Sequence, residues 1–233
     1  MEAGFTTAAE LVVSSYRDRR AAVVRRSFVA RMSTIILRGG VEVENPLELA
    51  LEFLAAYSSY EAYDSCGPAS FDESDLRLAN RAGARISAAE IAAILERRGE
   101  IERILREIQP DASLADATRS IPWLPLTRLF DAFADIRGIG FSKMTKALHR
   151  KRPALIPMLD SVVQAYLTRD DPGMLSSGSF GERSTVLVRS YKRDLDRNRS
   201  VLHELQRELA SRTYRLTEVR ILDLLIWSVA AAT

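Results

Sequence analysis

The sequence predicts an all-α fold, and two kinds of observation support this. Apolar residues recur at spacings of three and four in several segments, most clearly in 126–133, and this spacing places them on one helix face. Helix-start signals precede other segments: Asn45-Pro46 offers an N-cap followed by proline, and Ser87 stands three residues before Glu90 in a capping box. Hydrophobic residues make up 47% of the 233 residues, enough for one large helical domain or two small lobes that share an interface.

The same patterns assign the elements in chain order. Residues 41–43 are expected to be briefly extended, and a second capping box is predicted at Ser70 and Glu73. Two short helices are expected on either side of a turn at 137–140, within about 126–150. The other helices are predicted at about 6–37 (as one or two), 46–60, 71–82, 88–108, 160–167, 182–211 and 217–231.

Composition bounds the class of protein. Net charge is only +2, so any nucleic-acid site must come from local clustering of charge. The single cysteine, Cys66, argues against a disulfide framework and suits a reducing cytoplasm. His149 and His203 are the only histidines, so no zinc-ligand pattern appears and no metal site is predicted. The first residues lack a basic region followed by a long apolar run, and Asp223 interrupts the longest apolar stretch, so we expect neither a signal peptide nor a membrane span.

Residues 136–160 carry the most functional information. Gly138-Ile139-Gly140 separates two apolar stretches, and glycine both allows positive φ and leaves backbone N–H groups uncovered. Ile139 would plug the turn into the core. Two short helices joined in this way, with amides at the start of the second, form a site that a phosphate can occupy. Taken alone, the turn also fits an ordinary αα-hairpin with a glycine C-cap.

A run of positive charge follows the turn. Five cations lie within ten residues and no acid stands among them: Lys143, Lys146, Arg150, Lys151 and Arg152. The first three share a helix face, because they stand at i, i+3 and i+7. A solvated helix face usually mixes both signs. A face of one sign beside an amide-lined turn therefore favours a polyanion, such as a nucleic-acid backbone.

One carboxylate, Asp160, stands twenty residues after Gly140 at a predicted helix start. An ordinary N-cap is a common use of aspartate and is the simpler interpretation. The coincidence of hairpin, positive charge and spacing favours a catalytic carboxylate.

This stretch resembles the helix-hairpin-helix (HhH-GPD) superfamily of DNA glycosylases. The family pattern is Leu-x-Gly-hydrophobic-Gly, a helix, a short loop, and an aspartate that opens the next helix. Ile136-Arg137-Gly138-Ile139-Gly140 matches the hairpin, and Asp160 falls where the family's catalytic aspartate falls. The resemblance covers about residues 126–167. It implies a single domain over 1–233 with two helical lobes around a cleft, a central lobe of about 70–168 and a second lobe of 1–69 with 169–233.

Departures from the family pattern narrow the expected activity. Bifunctional members carry a lysine two residues after the second glycine, and its amine attacks the sugar. Here that position is Ser142, and Lys143 lies one residue later, about 100° further around a helix. Some members hold an iron–sulfur cluster on four cysteines, which Cys66 alone excludes. The resemblance therefore implies a monofunctional glycosylase without a cofactor, apart from the monovalent cation that family hairpins often enclose.

The resemblance also implies a role for each candidate residue. Ionised Asp160 would stabilise the sugar cation and orient the attacking water. The residues expected to hold the DNA backbone are Gly138, Ile139, Gly140, Ser142, Lys143, Lys146 and Arg150. A flipped base needs aromatic or apolar walls. The candidates for these walls, for which plain core packing is the simpler interpretation, are Tyr57, Tyr60, Phe71 and Trp123.

The expected partner is double-stranded DNA, bound by a monomer in the cytoplasm. Nothing in the sequence selects the base, which can be damaged or modified, including the modified bases of foreign DNA. Two other classes stay open. The first is a non-catalytic helix-hairpin-helix DNA-binding module in which Asp160 is only an N-cap. The second is a helical adaptor whose basic face meets an acidic protein.

Overall fold

The computed structural model describes residues 34–57, 60 and 67–230. The helices predicted before residue 34, together with Cys66, lie outside these residues. Within them the fold is all-α, as predicted, with a single two-stranded antiparallel sheet. The strands are β1 (Ile35–Ile36) and β2 (Glu42–Val43), joined by a 3₁₀ turn (Arg38–Gly40). The helices are α1 (Pro46–Tyr57), α2 (Glu73–Arg81), α3 (Ala88–Glu96), α4 (Arg98–Glu107), α5 (Trp123–Asp131), α6 (Phe141–His149), α7 (Ser161–Thr168), α8 (Phe180–Arg197), α9 (Arg199–Ser211) and α10 (Glu218–Ala230).

Local start signals placed most helices correctly and one slightly wrongly. Pro46 is the first residue of α1, and the Ser87 capping box that starts α3 is present in full. The capping box predicted at Ser70 is wrong. Asp72 caps α2 instead, because its side chain accepts from the Ser74 amide at 2.8 Å while the Asp75 side chain accepts from the Asp72 amide at 3.0 Å. The helix therefore begins two residues later than expected.

Two helices predicted as continuous are each divided. The segment 88–108 breaks at Arg97, and the segment 182–211 breaks at Asn198. The Asn198 amide group reaches β1, where Oδ1 accepts from the Ile36 N–H at 2.8 Å and Nδ2 donates to the Ile36 carbonyl at 2.9 Å. The division at Asn198 therefore depends on a contact with a residue 162 positions away in the sequence, which the periodicity of apolar residues cannot reveal. Residues 35–36 were predicted as the end of a helix. They form a strand instead, and this too depends on contacts with residues distant in the sequence.

The described helices share one hydrophobic core, to which α10 contributes six apolar side chains that are 0% exposed: Val219, Ile221, Leu222, Leu224, Leu225 and Ile226. Helix α10 packs against α1, α7 and α9, while α5 lies along α8 and α2 lies against α6. The closest approach is between α5 and α8, because a β-carbon on Gly181 would collide with the Thr127 carbonyl and with the Asp131 carboxylate. Asp131 accepts from the Gly181 amide at 2.6 Å, so it caps α8 from a neighbouring helix. None of the helices in this part of the chain is long and apolar enough to cross a membrane.

Candidate functional site

The predicted hairpin is present between α5 and α6. Gly138 has φ +86°, a conformation that side chains with a β-carbon rarely adopt. Ile139 is 7% exposed, and its amide donates to the Ile136 carbonyl at 3.0 Å, so it plugs the turn into the core as predicted. Gly140 is exposed, and a β-carbon there would meet nothing within 4 Å. The hairpin thus presents two glycines to solvent, with open space at the second.

An acidic side chain lies over the first of these glycines. A β-carbon on Gly138 would displace the Glu90 carboxylate, in addition to the strain that φ +86° imposes on any other residue. Glu90 also accepts from the Lys143 ammonium at 2.6 Å and from the Ser87 amide at 2.7 Å. Partial burial raises the pKa of Glu90, but the hydrogen bonds from Lys143 and Ser87 outweigh it and leave that pKa below the usual value. Lys143 is thus engaged with an acid fifty-three residues away in sequence.

The basic run is only partly a surface feature. Three of its five cations are buried, since Lys146, Lys151 and Arg152 are 9%, 3% and 1% exposed, and His149 is 1% exposed. The Lys151 ammonium pairs with the buried Asp75 carboxylate at 2.7 Å. The Arg152 guanidinium donates to four backbone carbonyls, among them the unpaired ones at the end of α4. These two cations hold the interior together, so the positive charge open to a ligand is smaller than the sequence suggests.

Asp160 is the N-cap of α7, and its two oxygens have different surroundings. Oδ1 accepts from the amides of Val162 at 3.1 Å and Val163 at 3.0 Å. Oδ2 lies 4.0 Å from the Lys146 ammonium, and the Asp160 side chain is 19% exposed. One oxygen is therefore committed to the helix, while the other faces a cation at a site that solvent reaches.

The backbone before Asp160 is fixed by side chains from three helices. From α6, the Thr145 hydroxyl accepts from the Leu159 amide at 3.0 Å, and His149 Nδ1 lies 2.7 Å from the Ile156 carbonyl. From α10, the Asp223 carboxyl accepts from the Met158 amide at 3.0 Å, and from α7 the Gln164 amide donates to the Leu159 carbonyl at 2.7 Å. Burial lowers the pKa of His149 to about 3, so the ring is neutral and its Nδ1–H is the donor to that carbonyl. These four side-chain contacts hold the backbone before Asp160, and with it the carboxylate of Asp160, in one position.

Titratable groups cluster behind Asp160. Burial lowers the pKa of Lys146, which the negative charge of Asp160 partly restores and Arg220 lowers further. Burial likewise raises the pKa of Asp223 to about 7, against the opposing effects of Arg220 and of the Met158 amide, and the charge of Asp160 raises it further. Sequence reasoning missed Asp223 and Arg220 as site residues. A charged residue inside an otherwise apolar helix was the available signal, since such a residue is buried at a cost and is usually kept for its interactions.

The four aromatic candidates do not form one pocket. Phe71 is fully buried, with its ring 6.1 Å from that of Phe133, and Trp123 lies elsewhere with Arg189 4.5 Å above its ring. Phe71 therefore does not line an open base pocket, whereas Trp123 is half-buried and its role as a pocket wall stays a prediction.

The other two aromatics lie nearer to Asp160. Arg220 stands 5.8 Å from the rings of both Tyr60 and Phe53, and Phe53 in turn contacts Tyr57 at 4.8 Å between ring centres. Arg220 thereby joins Tyr57 and Tyr60 to the charged cluster. Ser142, also predicted to contact DNA, is half-buried in the first turn of α6.

Within the part of the chain that the structure describes, no group of three or more His, Cys, Asp or Glu side chains could hold a metal ion. The monovalent cation expected at the hairpin stays a prediction. Chemically, the site offers one positioned carboxylate oxygen, a buried amine beside it, and guanidinium groups around the rim. Such an arrangement suits a reaction that develops positive charge near the carboxylate, on a substrate that carries negative charge.

Comparison with known proteins places the chain in a family without assigning an activity. No curated protein matches it, and no solved structure matches it. A family described as one of unknown function (DUF6308) matches residues 51–230, a range that contains the hairpin, Asp160 and the cluster around Asp223. That range is more than three quarters of the sequence, and the chain belongs to the DUF6308 family.

Proposed function

We propose that this protein is a monofunctional DNA glycosylase. It would hydrolyse the N-glycosidic bond of a damaged or modified base flipped out of duplex DNA and leave an abasic site, acting as a monomer in the cytoplasm. The observation that carries the proposal is that the two carboxylate oxygens of Asp160 have different surroundings. Oδ1 is held by two backbone amides, and Oδ2 is left free of the helix in a partly exposed, cation-rimmed site.

The proposed chemistry follows from that geometry. As the C1′–N bond breaks, positive charge develops on the sugar, and the ionised Asp160 Oδ2 stabilises it. A water oxygen then bonds to C1′, and the departing base takes up the proton that the water loses. The fixed backbone before Asp160 serves this step because a pre-positioned charge needs no reorganisation during the reaction. Ser142 occupies the position where a lysine would be needed to attack the sugar, so the proposed reaction has no covalent enzyme intermediate.

The proposed DNA contacts rest on the hairpin and the cations around it. The exposed amides at Gly138 and Gly140 would meet a backbone phosphate, with Lys143 beside them, while Arg150, at the opposite end of α6, would meet a different phosphate. Lys143 is paired with Glu90, so a phosphate would have to exchange places with that carboxylate. Lys146 is largely buried next to Asp160 and would act on the reaction centre more than on a distant phosphate.

A non-catalytic helix-hairpin-helix module that only binds DNA is the second candidate. It is favoured by the same contacts of Asp160, since two amide hydrogen bonds satisfy the needs of an ordinary N-cap. Under this proposal the loop before Asp160 is fixed only to orient α7.

Base release separates the two candidates. The protein and its Asp160→Asn variant would be incubated with duplexes and genomic DNAs that carry damaged or modified bases. Free base would be detected by mass spectrometry and abasic sites by alkaline cleavage. Asparagine caps helices as well as aspartate does, so the variant should fold normally and bind DNA while losing the negative charge. We expect base release to fall by at least about a hundredfold, the scale of removing one electrostatic group from a transition state.

Asp170→Asn is the matched control, because Asp170 is an exposed aspartate in the loop after α7 and should leave base release unchanged. Equal release by wild type and Asp160→Asn would remove the assigned role of Asp160. Duplex binding without release from any DNA would favour the binding module.

A further inference from the structure

The turn between α2 and α3, residues 82–87, contains a strained arginine. Gly83 has φ +76° and Arg85 has φ +56°. Glycine adopts this left-handed region at no steric cost, whereas in arginine the β-carbon crowds the backbone. The sequence thus places a charged side chain where the backbone disfavours any residue other than glycine or asparagine.

The neighbours of Arg85 impose this conformation. Ala84 and Ile86, on either side, are 5% and 4% exposed and belong to the core. The Asn80 side chain clamps the turn, since its Nδ2 donates to the Ile86 carbonyl at 2.9 Å and its Oδ1 accepts from the Ile86 amide at 2.6 Å. Between two buried anchors, the side chain of Arg85 must project outward.

Arg85 projects without a counterion among the described residues. It is exposed and makes no hydrogen bond or ion pair with any of them. Three exposed arginines of α2 and α4 are by contrast paired with an acid: Arg77 with Glu73, Arg98 with Glu102 and Arg103 with Glu107. The charge that Arg85 does meet is of its own sign, because it helps to lower the pKa of Lys146.

Lys146 joins this turn to the candidate site. A β-carbon on Gly83 would stand 4.0 Å from the Lys146 ammonium, and that ammonium lies 4.0 Å from Asp160 Oδ2. The turn therefore borders the carboxylate, and two cations face its rim with one acid between them. Asp160 offsets only one of the two positive charges, and a bound anion would reduce the repulsion that remains between Lys146 and Arg85.

We propose that Arg85 binds a backbone phosphodiester next to the flipped nucleotide, as a second phosphate site distinct from the hairpin. This inference rests on the proposed function, because the DNA strand that Arg85 would hold is the substrate of the proposed glycosylase. Arginine suits the role since its planar fork matches two phosphate oxygens. The strained backbone, held by Asn80 and by the buried residues on either side, fixes the point from which the Arg85 side chain leaves the turn at the rim of the site.

The test measures binding to a fluorescein-labelled duplex carrying a stable abasic-site analogue, over a range of salt concentrations. Loss of one phosphate contact should reduce the slope of log K against log salt by about 0.9. We expect Arg85→Gln to show that reduction and to weaken binding about threefold to tenfold at 0.1 M salt, on the order of one typical hydrogen bond at a solvated site. Arg85→Lys should keep the slope, since it keeps the charge. Arg77→Gln is the matched control, because Arg77 is 71% exposed on α2 and paired with Glu73.

Arg85→Gly adds a readout independent of DNA. Glycine relieves the left-handed strain, so the melting temperature should rise while the salt slope falls as in Arg85→Gln. An unchanged slope and affinity in Arg85→Gln, with normal wild-type binding, would overturn the phosphate site and leave the glycosylase proposal standing. Absence of wild-type binding to any duplex would overturn both.

Discussion

At the residue scale, Asp160 and Asp223 show how burial divides roles between two carboxyl groups. Asp160 is partly exposed and caps α7, while Asp223 is 2% exposed and holds the Met158 amide two residues before Asp160. Burial raises the pKa of Asp223 to about 7. Near neutral pH this group is thus close to its titration midpoint, and it changes the charge beside Asp160 without contacting the surface.

The pKa of Asp223 predicts a pH dependence of stability. The folded state keeps the proton up to about pH 7, whereas the unfolded chain releases it near 3.8. Between these values the folded state binds more protons than the unfolded chain. The contribution of Asp223 to stability is therefore full below about pH 4 and is lost as pH rises to 7. Over about three units this contribution is at most on the order of 4 kcal/mol. Asp223→Asn keeps an acceptor for Met158 and should flatten the dependence.

The measurement is urea unfolding of wild type and Asp223→Asn at several pH values between 4 and 8. The informative quantity is the difference in unfolding free energy between the two proteins at each pH. His149 contributes a pH dependence of opposite sign to both, so its effect cancels in that difference. Its folded pKa of about 3 lies below its usual 6.5, so its contribution is present above pH 6.5 and is lost on acidification. Asp170→Asn should follow wild type. Parallel curves for wild type and Asp223→Asn would show that Asp223 titrates normally.

At the scale of elements, the helix ends carry the information that places the site. Asp160, Ser87 and Ser179 each cap a helix through their own side chains, and each can be recognised from the sequence as a residue type that caps. The division between α8 and α9 is different. Asn198 sits within a helical pattern and ends α8 only because β1 lies beside it.

Replacing Asn198 by alanine should therefore destabilise the fold. It removes both contacts with Ile36 and leaves the partly buried N–H and carbonyl of that residue unsatisfied, while the Asp194 carbonyl loses one of its two donors. The expected loss is about 2–4 kcal/mol in the free energy of unfolding, since each orphaned buried group costs about 1–3 kcal/mol and the gain in helix propensity returns well under 1 kcal/mol. Urea denaturation measures it. Ser200→Ala, an exposed change two residues later, should stay within about 0.5 kcal/mol. A loss for Asn198→Ala no larger than that of the control would contradict the tie to β1.

At the scale of the whole molecule, charge is distributed locally. The net charge of +2 provides little long-range attraction to DNA. Of the basic run after the hairpin, Lys151 and Arg152 are consumed in the core and Lys143 is paired with Glu90. Under the proposed function, DNA binding would then depend on a small set of cations at the hairpin and at Arg85.

This distribution predicts a moderate salt dependence for wild-type DNA binding. About four phosphate contacts would give a slope of roughly −3.6 in log K against log salt, so affinity should fall roughly 150-fold between 50 and 200 mM salt. Fluorescence anisotropy with a random duplex would measure this slope. A slope near zero, or preference for an acidic protein over any duplex, would instead support the helical adaptor.

The sequence by itself determined the all-α class, the hairpin at Gly138-Ile139-Gly140, and Asp160 at a helix start, because these depend on residues close together in the chain. Glycine permits the turn, and aspartate caps the helix, whatever the rest of the molecule does. The tertiary structure alone decided which cations are buried, where Phe71 and Trp123 lie, and that Glu90, Asp223, Arg220 and Arg85 surround the candidate site. Burial and pairing are properties of contacts between distant segments, and a lysine that pairs with Asp75 has the same local pattern as one that meets a phosphate.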